Sequence, residues 1–131
     1  MQAEGENRTG SAQEEMEILR KRIAELEAED AGREKHEIIQ EAIKEHAEKK
    51  PEEILHPEKT ISSQEAGEHA KRIKNIQSED AHRDKIIALM QMVHDKGILN
   101  TVSIIKNIND PHLEDDFHQA LVKYFKNSEN V

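Results

Sequence analysis

The 131 residues carry 19 Lys/Arg against 28 Asp/Glu, a net charge of −9, and no cysteine. Such an acidic chain lacks the basic face that phosphate-driven nucleic-acid binding needs, and the missing thiols exclude disulfides, thiolate nucleophiles and cysteine-based zinc fingers. With 34% hydrophobic and 36% charged residues, the apolar material suffices for one domain with appendages but not for a core along the whole length.

The acidity is uneven. Residues 1–60 hold 10 Lys/Arg and 17 Asp/Glu, and residues 61–131 hold 9 and 11. Residues 1–12 mix Gly, Asn, Thr, Ser and Glu without periodicity and read as a flexible tail, with none of the basic and apolar blocks of a signal peptide.

Residues 13–50 form a charged helical, coiled-coil-like region. Met16, Leu19, Ile23 and Leu26 are spaced three, four and three apart, as at the a and d positions of a heptad. In a parallel pair Glu15 would face Arg20 of the second copy, and Arg22 would face Glu27. A homodimer through residues 13–29 is therefore weighed against a helix that folds back on its own chain. In "REKHEIIQEAIKEHAEKK", residues 33–50, Ile39, Ala42, Ile43, His46 and Ala47 make a narrow stripe.

Pro51 and Pro57 make 51–61 a linker with at most one helical turn. Residues 62–77 are a connector helix opened by "SSQE", a capping box with Ser62 at N-cap, Glu65 at N3 and Ile61 as a staple.

Residues 78–131 are expected to fold as a compact module of three helices that holds nearly all of the core. Ser78 is the expected N-cap of the first, Gly97 its stop, and Ile86, Ile87, Leu89, Met90 and Val93 its apolar face. The second carries Ile98, Leu99, Val102, Ile104, Ile105 and Ile108. The third carries Leu113, Phe117, Leu121 and Tyr124, and the chain's only aromatics are Phe117, Tyr124 and Phe125. Short breaks at Gly97 and near Asn109 force consecutive helices to pack on one another. Met92 and Val122 point off these stripes and are expected to feed an exposed apolar patch. The longest strictly apolar run, Ile86 to Met90, is too short to cross a bilayer, so no membrane insertion and a cytoplasmic location are expected.

The densest group of chemically capable side chains is "PHLEDDFH", Pro111 to His118. Asp110 and Pro111 suit N-cap and N1, and Glu114, Asp115 and Asp116 suit the first turn, where the helix dipole favours negative charge. The same residues offer a metal reading: His112 with Asp116 at i,i+4, and Asp115 with His118 at i,i+3. The two pairs lie about 60° apart around the helix, so one ion would need a further ligand from elsewhere. The helix-start reading is preferred, and neither a cofactor nor catalysis is expected, because no activated nucleophile or oriented base is visible. A helix-turn-helix across Gly97 would offer only Lys106 on the helix from Ile98 to Ile108, or acids at the start of the helix from Asp110, so nucleic acid is not the expected partner.

"KKPEEILHPE" and "KGILNTVSIIKNINDPHLEDDFHQALVKYF" together resemble small uncharacterised helical proteins of candidate-phyla bacteria with reduced genomes, which share an "EEILHP" linker and a C-terminal "PHLEDDFH" motif. The resemblance covers roughly Lys49 to Pro57 and Lys96 to Tyr124. It implies no activity, but suggests that "PHLEDDFH" serves as a docking surface beyond its capping role. The sequence thus points to an all-α, non-enzymatic interaction or assembly protein with protein partners. Met16, Leu19, Ile23 and Leu26 are its expected association surface. A metal-binding protein or enzyme using residues 112–118 is the alternative, and an acidic DNA-associated regulator the next.

Overall fold

In the computed structural model, residues 11–128 are described, the side chains of 51, 52 and 128 excepted, and they form helices with no strand. The tail expected over 1–12 lies outside the described residues up to position 10. Ser11 already caps the first helix by accepting from the Glu14 N–H at 3.1 Å.

Helix α1 spans Ala12–Glu29, α2 Lys35–Ala47, α3 the single turn Pro51–Ile54, α4 Ser63–Lys74, α5 Ala81–Lys96, α6 Ile98–Ile108 and α7 Pro111–Ser128. A 3₁₀ turn, Pro57–Lys59, follows α3. The expected signals sit at several of these boundaries. Ser62 and Glu65 form the reciprocal capping box of α4. Asn109, in the left-handed region at φ 59°, closes α6. The cap of α5 differs from expectation: Asp80 accepts from the Arg83 N–H, and Ser78 instead donates its hydroxyl to Asp84 at 2.6 Å.

The core does not stop at residue 78. Met16, Leu19, Ile23 and Leu26 of α1, together with Ile38, Ile39, Ala42 and Ile43 of α2, belong to the same buried cluster as Ile104, Leu113, Phe117, Leu121 and Phe125. Helix α2 packs along α7, α4 along α6, and α1 against α2, α5 and α6. The physical reason is the width of the apolar stripes on α6 and α7. Three short helices leave part of these stripes uncovered; Ala66, Ala70 and Ile73 of α4 cover α6, and the stripe of α2, backed by α1, covers α7.

The heptad-spaced stripe of α1 therefore faces its own chain. Leu19 and Ile23 are 1% and 0% exposed, so a second copy pairing along residues 13–29 would have to displace α2 and the C-terminal helices. Its charges pair within the chain too. Arg22 donates to Glu45 of α2 at 2.8 Å, and Arg20 pairs with Glu17. The guanidinium of Arg20 also lies over the Phe125 ring, 5.6 Å from its centre.

The proline-containing segment is bolted down as well. Ile54 and Leu55 are buried against Leu99, with Ile18 alongside. The buried Asn100 side chain donates to the carbonyls of Lys59 and Lys96 and accepts from the Ile61 N–H. Two expectations for exposed apolar groups change places: Val122 is buried and Met92 packs against the core, while Ile87 is 47% exposed. No helix among the described residues is long and apolar enough to cross a membrane.

Candidate functional site

Asp110 does cap α7, its Oδ1 accepting from the Leu113 N–H at 3.2 Å. Leu113 and Phe117 are buried, and the "PHLEDDFH" residues between and beside them are split between two different faces of α7.

On the first surface, His112 and Asp116 meet His82 from the first turn of α5. The Asp116 carboxylate takes a 2.6 Å hydrogen bond from His82 Nε2, and His112 Nε2 lies 3.6 Å from the same oxygen. The two imidazole rings stack, with centroids 4.9 Å apart and planes 28° from parallel. Of the four candidate ligands read from the sequence, the structure brings His112 and Asp116 together and places a third side chain able to ligate a metal, His82, beside them. His82 carries no local signal of this role. It lies 34 residues before Asp116 and is brought there by the packing of α5 on α7. A groove along this edge continues past His36, Ile86, Gln119 and Lys123.

Asp115 and His118 take no part in that cluster. They border a second groove, of about 360 Å³, between α2, α6 and α7. Ile43, Ala47, Val102, Ile105 and Phe117 form its apolar floor, and Lys44, Lys106, Glu114 and Asp115 stand around its edge. His118 is half-buried in its wall. Desolvation holds the imidazole below its ordinary pKa, opposed by a hydrogen bond to the Gln40 backbone and by the charges of Asp115 and Glu114.

A third polar constellation is fully enclosed. Glu15 of α1 is 0% exposed, and its carboxylate accepts from the Ile98 and Leu99 N–H groups, both at 3.0 Å, and lies 2.7 Å from His46 Nε2. Gly97 begins α6 and has no side chain to cap it, so a carboxylate from another helix takes that place at the positive end of the dipole. A Cβ at Gly97 would clash with Glu15 Oε1, and its φ of +95° favours glycine on backbone grounds alone. Read along the heptad, Glu15 is a surface charge; only the tertiary fold makes it a cap. With three protein groups gathered on its oxygens and no water-facing surface, Glu15 joins α1, α2 and α6 as a structural tie.

Helix α6, weighed above as a DNA-recognition helix, buries Ile98 to Thr101 together with Ile104, Ile105 and Ile108. Lys106 and Asn107 form its exposed edge. Comparison with family models, with curated proteins and with solved structures returns no match.

Proposed function

We propose that the protein is a non-enzymatic interaction module whose partner lies in the groove between α2, α6 and α7. The observation that carries this reading is the groove itself: an apolar floor with charged groups around it, formed on one side by Glu114, Asp115 and His118 of "PHLEDDFH". Its volume of about 360 Å³ is at the small end for a binding cleft and has room for one or two bulky side chains.

The occupant we assign is an amphipathic helix of a partner protein, laid between the helices with its apolar anchors on Val102 and Ala47. Charge complementarity sets its flanks. Acidic Glu114 and Asp115 on the α7 side favour a basic residue, and Lys106 on the α6 side favours an acidic one. A second copy joined through α1 is not part of this reading, because that stripe is spent inside the chain.

A displayed library of helical peptides, selected against the full chain, tests the reading. Enriched peptides should carry bulky apolar residues at i,i+3/i+4 spacing and should lose binding to a Val102→Glu variant that keeps its helical circular dichroism. Enrichment of nothing above background, or of peptides that bind the variant equally well, contradicts the groove as the partner site.

A further inference from the structure

We propose that His82, His112 and Asp116 form a binding site for a divalent transition-metal cation of the zinc type, separate from the groove assigned to a protein partner. One donor atom from each of the three residues lies within 4.8 Å of the other two. The donors come from two helices in fixed register. His112 and Asp116 are one turn apart on α7, and His82 is carried by α5, which packs along α7.

The spacing suits an ion. Metal–donor bonds of about 2.0–2.1 Å at tetrahedral angles put neighbouring donors about 3.3 Å apart. The His112–Asp116 separation of 3.6 Å is close to that value, and the His82–Asp116 separation of 2.6 Å is that of a hydrogen bond, which an ion entering between them would open. Small side-chain rotations bring both to it, and the room exists because the three side chains are 42%, 78% and 37% exposed in the order His82, His112, Asp116. The site uses two imidazole nitrogens and one carboxylate oxygen. That donor set selects late first-row divalent cations such as zinc and nickel over magnesium and calcium, which prefer all-oxygen sites. Three protein ligands leave a coordination position on the solvent side, open to water or to a donor from another molecule. The bound ion would tie the first turn of α5 to the first two turns of α7.

Calorimetric titration of the full chain with zinc chloride, in a buffer that does not bind metal, is the test. One equivalent should bind, and affinity should fall at least about tenfold in His82→Ala and in His112→Ala, the scale on which even outer-shell changes weaken metal sites. His118→Ala, in the other groove and outside the cluster, should bind as the parent does. The His82 and His112 ring protons should shift on zinc addition in the NMR spectrum. Circular dichroism checks that each variant is folded, and the exposure of both histidines makes their replacement tolerable. No binding at millimolar zinc overturns the assignment. So does binding that survives both substitutions, since the ion would then sit on other histidines.

Discussion

Glu15 occupies a position that, on a heptad, belongs at the edge of a seam between two chains. In the fold it is the best-buried charged side chain described, and two backbone N–H groups and one imidazole depend on it. Truncating it leaves those groups without an acceptor in a dry site, which is the costly side of the hydrogen-bond asymmetry. Glu15→Ala should therefore destabilise the protein by about 3–5 kcal/mol, the range for breaking a buried pair from one side. Glu15→Gln keeps the shape and one good acceptor oxygen and should lose less. Urea unfolding followed by circular dichroism measures both, and a Glu15→Ala variant as stable as the parent would contradict the capping role. Little of this was legible beforehand, because the N–H groups that Glu15 caps lie more than eighty residues further along the chain.

At the scale of elements, most local signals act as read, the N-cap of α5 excepted, where Asp80 takes the place expected of Ser78. Ser62 with Glu65, Asp110 with Pro111, and the stops at Gly97 and Asn109 act within a few residues of themselves, and local chemistry determines them. The apolar stripes were equally plain. What a stripe does not say is what covers it: Met16, Leu19, Ile23 and Leu26 present the same spacing to a second copy as to α2 and α5 of their own chain. The same limit hid His82 from the metal reading and left Val122 expected outside. The α1–α2 pairing carries its own electrostatic signature. Hydrogen bonding to Arg22 holds the Glu45 carboxylate below its ordinary value of 4.5, with burial acting in the opposite sense. A carboxylate depressed in the folded state contributes stability above its unfolded pKa and loses that contribution as pH falls through the folded value. Acidification below about pH 4.5 should thus weaken the α1–α2 contact, modestly because the pair is part-exposed. Unfolding curves of the parent and of Glu45→Gln should converge as the pH falls; a stability difference that stays constant through that range would contradict the assignment.

Over the whole molecule, the division expected between a charged N-terminal region and a self-sufficient C-terminal module gives way to one core built from both. The mean composition hid this, because the charged residues of α1 and α2 surround stripes of only four or five residues, and those stripes suffice to join α7 and the inner helices in one core. The arrangement also gives α7 its two working surfaces. Helix α2 forms one wall of the groove at Asp115 and His118, and α5 brings His82 to His112 and Asp116 on the other face. The groove would not exist in a module of α5 to α7 with loose helices ahead of it, since it would lose its α2 wall. Native-state hydrogen exchange tests this most directly, because it reports the free energy of opening at each amide. The amides of Leu19 and Ile23 in α1 should exchange only through the same global unfolding that exposes those of Ile104 and Leu121. Near-unprotected exchange at Leu19 and Ile23, with α6 and α7 still protected, would contradict a single shared core.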